Sequence, residues 1–173
     1  HALAPRHGAA LLGGFLLGEV PPRRVVEIAR SGEVAERLVV AAQADRVTPE
    51  GREALARAAV LGRTFWAGAL DRLRNAPVGA APEVATDEIL GQLRARRLLH
   101  ERETSSLPGE REFVFAESAL HEVAYETLVA KARRALHLVA AEWLSSRAQG
   151  SAMASELAFH FDRGGDQGRA SQR

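Results

Sequence analysis

The spacing of hydrophobic residues changes halfway along residues 111–128. In the first half apolar and polar residues alternate, with Phe113 and Phe115 on one face, and this alternation predicts a short β-strand. The second half places four apolar residues on one face of a helix: Leu120, Val123, Ala124 and Leu128. The pattern therefore predicts a strand that leads directly into a helix, with Ser118 as the helix N-cap.

Three helices are predicted ahead of this strand. Residues 48–50 supply a threonine N-cap, a proline suited to the first turn and an acid that complements the helix dipole, so the first helix starts there and ends at Gly62. Phe65 and Trp66 are predicted to open the second, short helix. Thr86 is the predicted N-cap of the third, whose buried face carries an isoleucine and two leucines.

A turn-rich segment, residues 104–109, separates two charged and extended arms. We expect residues 98–103 to pair antiparallel with residues 111–116 across this turn. The order helix, helix, helix, strand, turn, strand is that of a winged helix, a variant of the helix-turn-helix. The predicted fold class is therefore mostly α, with a winged-helix unit of three helices plus a two-stranded wing.

Further helices are predicted on both sides of this unit. Five segments show helical patterning: residues 1–18, 23–29, 34–44, 132–146 and 153–162. A break at residues 149–151 separates the last two of them. The end of the chain is therefore interpreted as half of a helical hairpin.

Composition supports packed helices and excludes several kinds of chemistry. Hydrophobic residues make up 46% of the 173 residues but aromatic residues only 5%, so the core must consist mainly of Ala, Leu and Val. There is no cysteine, which excludes disulfides and thiolate zinc sites and favours a reducing, cytoplasmic compartment. The net charge of +1 gives no strong attraction to nucleic acid or to membranes.

The sequence contains no nucleotide-binding loop and no recognisable catalytic motif. Lys131 is the only lysine, and it does not follow the glycine that a P-loop requires. The longest apolar run, residues 9–18, is too short to cross a bilayer, so no membrane association is expected. Because the sequence starts at His1 rather than at a methionine, we interpret it as a piece of a longer protein. Because it lacks a P-loop and a catalytic motif, we expect no catalysis from this piece itself.

The histidines are predicted to be ordinary helix residues rather than metal ligands. The helix that contains His121 lacks the second histidine of a zinc-protease motif, since Tyr125 stands at that position. His137 and His160 lie far apart in sequence and have no acidic partner at ligand spacing. We expect Tyr125 and Trp143 to be core anchors, and we predict no catalytic, cofactor or metal site from these residues.

A basic cluster on the third predicted helix raises an alternative function. Arg94, Arg96 and Arg97 lie on the helix that enters the major groove in DNA-binding winged helices. Asp87 and Glu88 open the same helix, and the predicted wing mixes acids with arginines, so these carboxylates would oppose phosphate binding. We therefore favour a solvated face or a contact to a neighbouring module over DNA recognition.

The order of several motifs resembles one protein family. Five segments carry the resemblance: residues 58–66, 98–103, 113–115, 121–125 and 133–137. Together they are similar to the region after the ATPase core of bacterial STAND-class signalling ATPases, in which an AAA-type module is fused to a kinase, a cyclase or a DNA-binding domain. Residues 156–166 are similar to the first helix of the tetratricopeptide array that follows in many of them, and residues 12–14 and 20–22 to the preceding lid helices.

The resemblance implies a domain plan and a function. Residues 1–47 would be a lid-like helical segment, residues 48–130 the winged-helix domain, and residues 131–173 a helical linker with the first helix of a tetratricopeptide-like array. The segment would couple the ATP or ADP state of an upstream ATPase module in the same chain to a downstream sensor or effector. The alternatives are a DNA-binding module of a transcription regulator and a scaffold that binds a protein partner through its repeats.

The chain departs from the family pattern at two places. After residues 30–32 the family continues into a Gly-Asn-Pro-aromatic segment and a further helix, whereas Glu33 follows here at once. Glu117 stands where relatives often carry a histidine that contacts the phosphates of ADP. A carboxylate repels a phosphate, so direct nucleotide sensing through Glu117 is not expected. The resemblance gives Glu117 and Arg63 only as candidate nucleotide-proximal residues.

Overall fold

The structure, a computed structural model, describes residues 47–147 and 153–165. Within these ranges it has six α-helices: α1 (Pro49–Leu61), α2 (Ala67–Arg74), α3 (Thr86–Ala95), α4 (Ser118–Glu126), α5 (Ala130–Arg147) and α6 (Ala154–Gly164). It also has an antiparallel sheet of three strands, in the order β1-β3-β2: β1 (Thr64–Trp66), β2 (Leu99–Glu101) and β3 (Glu112–Phe115). The mostly helical class is confirmed. The lid-like segment predicted within residues 1–46 and the break at residues 149–151 lie outside the described residues.

The predicted pairing of the two extended arms is confirmed. Strand β2 pairs antiparallel with β3, with Leu99 opposite Phe115 and Glu101 opposite Phe113. Strand β3 ends only three residues before Ser118 opens α4, so the strand does lead directly into a helix. The paired strands β2 and β3, together with the turn between them, are called the ribbon below.

The prediction of a helix at Phe65 and Trp66 is wrong, because both residues belong to strand β1. Strand β1 pairs antiparallel with β3, with Phe65 opposite Phe113, and the Phe65 ring centroid lies 5.9 Å from that of Phe113 and 5.7 Å from that of Phe115. The backbone N–H of Ala67 donates to the Arg111 carbonyl at 2.9 Å, and α2 begins only there. Pairing with a strand about fifty residues away therefore overrides the local helical pattern.

The three predicted helix starts have different outcomes. Thr48 caps α1 as predicted: its hydroxyl accepts from the Gly51 N–H at 3.1 Å, and Pro49 is the first helical residue. The caps predicted at Thr86 and Ser118 are wrong, because each is already the first residue of its helix. The Thr86 hydroxyl instead donates to Asp71 Oδ1 at 2.6 Å, so a tertiary contact uses the group that the local pattern assigned to capping.

Helix α1 is the centre of the described fold. It packs against α2, α3, α4 and α5, and its sequence is rich in alanine, which lets neighbouring helices approach closely. Ala54, Ala58 and Ala59 are all buried. Two layers meet on this helix, because the sheet contributes the buried rings of Phe113 and Phe115 to the same core.

Helix α5 packs on the ribbon and on α2. The indole of Trp143 stacks on that of Trp66 with ring centroids 6.0 Å apart, and the Arg147 guanidinium is ion-paired with Glu110 in the ribbon turn. Glu110 also accepts from the Gly68 N–H at the start of α2, at 3.2 Å. The domain boundary predicted at residue 130 lies where α5 begins, and contacts between the side chains of α5 and the ribbon cross it.

The predicted helices 132–146 and 153–162 are confirmed as α5 and α6, with slightly shifted ends. The two helices pack closely, since a Cβ added to Gly164 would lie 2.5 Å from Leu138 Cδ2. In the described part of the chain, no helix is long and apolar enough to cross a membrane.

Candidate interaction surfaces

Arg63 and Glu117 come together at one end of the sheet. The backbone N–H of Phe115 donates to the Arg63 carbonyl at 2.9 Å, and Glu117 occupies the N-cap position of α4 two residues further on. Both residues are exposed. The two residues that the resemblance singled out thus lie on the same exposed end of the molecule, called the Arg63 surface below.

His121 lies close enough to Arg63 for the charge of Arg63 to act on it. Its Nε2–H donates to the Ala59 carbonyl at 3.0 Å, and its ring meets the Phe115 ring edge-on with centroids 5.3 Å apart. Burial lowers the pKa of His121, the hydrogen bond to Ala59 opposes that change, and the positive charge of Arg63 lowers it further. His121 is therefore a neutral, half-buried side chain at pH 7, and Arg63 supplies positive charge to this surface.

The basic cluster of α3 is divided between the ribbon and the end of the helix. Arg94 is ion-paired with Glu101 on β2. Arg111 on β3 contacts Glu101 as well, at 2.7 Å from Nε to Oε1, and contacts Asp87 at the start of α3 at 2.9 Å. The hydrogen bond from Arg111 holds the pKa of Glu101 below its usual value against the opposing effect of burial. Carboxylates of the protein itself therefore neutralise the cations beside the ribbon.

Arg96 and Arg97 lie at the C-terminal end of α3. In DNA-binding helix-turn-helix proteins, the N-terminal residues of the corresponding helix contact the bases. Arg97 has a left-handed backbone with φ of 59°. The N–H of Leu98 donates to Leu93 O at 3.1 Å and the N–H of Arg97 donates to Arg94 O at 2.9 Å, which together form a Schellman motif. Exposed arginines at a helix C-terminus are stabilised by the helix dipole without any ligand.

Glu112 holds the ribbon turn in place and was not found from the sequence. It is only 1% exposed, and it accepts hydrogen bonds from the Ser106 N–H at 2.5 Å, the Ser106 hydroxyl at 2.6 Å and Arg102 at 2.5 Å. Burial raises the pKa of Glu112, but the hydrogen bonds from Ser106 and Arg102 outweigh it and lower the pKa overall. The signal in the sequence was a pair of serines in the turn facing an acid on the returning strand.

A second buried polar cluster, also not predicted, anchors the loop after α2. Arg74 is fully buried and contacts Glu53 Oε2 at 3.3 Å and the Thr86 hydroxyl at 3.2 Å. Arg57, on α1, is ion-paired with Glu53 and donates to the Val78 carbonyl at 2.5 Å. These contacts join α1, α2 and α3, so the cluster has a structural role.

The structure brings together His137 and His160, which the sequence left far apart. Their Nδ1 atoms lie 2.8 Å apart between α5 and α6, and the Tyr125 hydroxyl lies 3.0 Å from His137 Nε2. Burial lowers the pKa of His137 to about 3 and of His160 to about 4, and for His137 the neighbouring imidazole and the charges of Arg163 and Arg133 add to the effect. Both imidazoles are neutral at pH 7, so one N–H···N hydrogen bond joins them.

Metal binding finds no support in this part of the chain. Among the described residues, no group of three or more His, Cys, Asp or Glu side chains is arranged to hold a metal ion. In the described part of the chain, the histidine pair is hydrogen-bonded between its two rings and to the Tyr125 hydroxyl. Its geometry fits a hydrogen-bonded link between two helices.

Comparisons with known proteins identify no relative, so the fold alone defines the class of this protein. The chain matches no protein-family model, no curated protein and no solved structure. The described residues therefore place it among mostly helical proteins with a small antiparallel sheet, and any finer description rests on the surfaces above.

Proposed function

We propose that this chain is a regulatory interaction segment of a signalling ATPase. In this proposal α1, α2, α3 and the ribbon form a winged-helix unit, and α5 and α6 lead into a helical-repeat array. The segment couples the nucleotide state of an upstream ATPase module to a downstream sensor or effector, and it carries out no reaction itself. Helix order, the antiparallel ribbon and the direct passage from β3 into α4 support this description.

The observation that carries the proposal is the charge pairing around α3. A winged helix that reads DNA needs free cations on its third helix and wing to neutralise phosphates. Here Glu101 engages both Arg94 and Arg111, and Arg111 also contacts Asp87 at 2.9 Å. A face whose cations are neutralised by its own acids is better suited to a protein contact than to a polyanion.

In the proposed switch, the winged-helix unit docks on the ATPase module through the Arg63 surface and swings away on activation as a rigid body. Arg63 and Glu117 offer opposite charges at one exposed end, which suits a complementary pair on a protein. Glu117 does not fit a direct phosphate contact, because a carboxylate repels it. The ATP or ADP of the proposed parent is therefore assigned to the upstream module.

Charge reversal at Arg63 tests this proposal in the full-length protein that carries the ATPase module. We expect Arg63→Glu to change the resting ATPase rate by at least fivefold, because it would weaken docking. Arg96→Glu is the matched control, since Arg96 is also exposed but lies at the end of α3, and it should leave the rate within twofold. Equal effects of the two variants would contradict a docking role for the Arg63 surface.

DNA binding remains a second candidate function because Arg96 and Arg97 are exposed, and Arg94 lies one turn before them. Gel-shift titrations of the chain with duplex DNA at several salt concentrations separate the two candidates. We expect only weak, sequence-independent binding. Tight binding with a steep salt dependence that Arg96→Glu abolishes would favour the DNA-binding alternative over the interaction segment.

A further inference from the structure

A row of ring and guanidinium contacts crosses α4, α5 and α6. His137 stands in the middle, with its ring centroid 5.9 Å from that of Tyr125 and 5.7 Å from that of Phe159. The Arg133 guanidinium lies 4.9 Å from the Tyr125 ring centroid, and the Arg163 guanidinium lies 5.3 Å from that of Phe159. An arginine thus flanks the aromatic row at each end. His137 itself is buried, and the other four residues, Tyr125, Arg133, Phe159 and Arg163, are called the Phe159 surface.

Phe159 is unusually accessible for a side chain of its size. It is 48% exposed, and Val129, at 69%, is the other exposed large apolar residue in the described ranges. Within the same ranges, no ion pair with a carboxylate is seen for Arg133 or Arg163. Within the described ranges, the Phe159 surface therefore combines exposed apolar area with two positive charges for which no carboxylate partner is seen.

Hydrogen bonds hold much of the Phe159 surface in position before any partner arrives. Arg133 Nε donates to the Leu128 carbonyl at 2.7 Å, which fixes its guanidinium over the Tyr125 ring. His137 is held from both sides, by the Tyr125 hydroxyl at 3.0 Å and by His160 at 2.8 Å. A surface that is already ordered loses less conformational entropy on binding, which favours affinity.

We propose that the Phe159 surface binds an acidic amphipathic helix of a partner protein. An apolar side chain of that helix packs on the exposed ring of Phe159, and carboxylates on the same helix face pair with Arg133 and Arg163. Aromatic and arginine side chains are the residues that contribute most to binding at protein interfaces, and a guanidinium donates charge-assisted hydrogen bonds to carboxylates. The proposal names the chemistry of the partner for the interaction segment proposed above, and it rests on that role.

Nucleic acid fits this surface less well than an acidic helix. Binding of single strands relies on several aromatic rings for successive bases, whereas Phe159 is the single ring of the row that is largely exposed. Glu156 and Asp162 are exposed on the same helix, and their carboxylates would repel a continuous chain of phosphates.

Selection from a phage-displayed library of helical peptides, with the whole chain immobilised, tests the proposal. We expect enriched peptides to carry Asp or Glu three or four positions from a large apolar residue. A synthetic peptide of the enriched sequence should bind at least tenfold more weakly to Phe159→Ser and to Arg163→Glu. Arg163→Lys should bind better than Arg163→Glu, and the distant control Arg96→Glu should bind like the unaltered chain.

Circular dichroism and thermal unfolding of each variant verify that lost binding does not reflect lost folding. No enrichment, enrichment without acidic residues, or peptide binding unaffected by Phe159→Ser would overturn the proposal. Binding of single-stranded DNA that the same variants abolish would assign the surface to nucleic acid instead. A self-associated chain that Phe159→Ser makes monomeric in sedimentation would assign it to a second copy.

The two proposals fail in distinguishable ways. The ATPase experiment changes Arg63, which directly precedes β1. The peptide-binding experiment changes Phe159, which lies on α6. If Arg63→Glu has no effect and the selection succeeds, the ATPase assignment falls and the partner chemistry stands. If the selection fails while Arg63→Glu alters the ATPase rate, the Phe159 surface alone is excluded.

Discussion

Glu112 connects the ribbon turn to the strand that precedes α4. Its carboxylate is buried and accepts three hydrogen bonds within 2.6 Å, from the Ser106 N–H, the Ser106 hydroxyl and Arg102. Hydrogen bonds to an ionised group are stronger than those between neutral groups. The turn therefore has a defined shape even though its sequence consists of turn-forming and charged residues.

Replacement of this carboxylate by an amide should loosen the turn. We expect Glu112→Gln to lower the free energy of unfolding by roughly 1–3 kcal/mol, because the bonds from Arg102 and Ser106 lose their charged acceptor. Urea denaturation followed by circular dichroism measures the change. The control is Glu103→Gln in the same turn, an exposed position that should change stability by less than about 0.5 kcal/mol. An equal loss in both variants would contradict a special role for Glu112.

The histidine pair predicts a loss of stability in mild acid. His137 and His160 have folded pKa values lowered to about 3 and about 4, below the ordinary value of 6.5. Above pH 6.5 neither state is protonated, and stability is unaffected. As the pH falls below 6.5, the unfolded chain takes up protons that the folded protein does not bind. Stability therefore declines until the folded pKa values are reached, by about 1.4 kcal/mol per histidine at pH 5.5.

Urea denaturation at pH 7.5 and pH 5.5 measures this dependence. His160→Gln should reduce the difference between the two stabilities by about half, since one of the two buried groups is removed. The control His100→Gln changes an exposed histidine on β2 and should leave the difference unchanged. A stability that rises as the pH falls would contradict neutral imidazoles in the folded protein.

Helix α3 ends through a Schellman motif with an arginine in the position that usually carries glycine. A left-handed backbone brings the Cβ of any other L-residue close to the following carbonyl oxygen. The φ of 59° at Arg97 is therefore a local strain that the hydrogen bonds from Leu98 and Arg97 offset. The same bonds direct the chain from the helix into β2.

Glycine should relieve this strain. We expect Arg97→Gly to raise the free energy of unfolding by about 1 kcal/mol, because glycine adopts a positive φ freely. Arg96→Gly is the matched control: Arg96 has φ of −84°, so glycine there only adds freedom to the unfolded chain and should destabilise the protein by a few tenths of a kcal/mol. Thermal unfolding compares the two variants. Destabilisation by Arg97→Gly would mean that the arginine side chain makes a contact that outweighs the backbone strain.

Helix α5 contacts the sheet, the ribbon turn and α6. Its Trp143 stacks on Trp66, and its Arg147 is ion-paired with Glu110. The same helix also packs on α1 and α2. We therefore expect the part of the chain from α1 to α5 to unfold as one cooperative unit.

Removal of the Trp143 ring tests this cooperativity. Trp143→Ala should lower the free energy of unfolding by roughly 3–5 kcal/mol, because a buried aromatic ring is lost. Trp66 is then the only tryptophan, so its fluorescence reports on the sheet alone. In urea, the fluorescence midpoint should fall together with the helical circular dichroism signal. A sheet transition that stays at its original urea concentration would show that α5 belongs to a separate unit.

The sequence by itself predicted those structural elements that depend on interactions between residues close together in the chain. The start of α1 followed from Thr48 and Pro49, because a capping hydroxyl and a fixed proline φ act within one turn. The pairing of β2 with β3 followed from a short turn between two extended arms, since hairpin register depends on neighbours in sequence. The switch from strand to helix before α4 likewise followed from hydrophobic periodicity.

Only the tertiary structure decided the features that join distant parts of the chain. Strand β1 exists because Phe65 pairs with Phe113, and the histidine pair exists because α6 packs back on α5. In the sequence Glu112 is one charged residue among several, and only the structure shows that Ser106 in the ribbon turn donates hydrogen bonds to it. Each of these features is stabilised by a partner that is distant in sequence. The residues near each feature do not specify that partner, so the local sequence alone does not predict the feature.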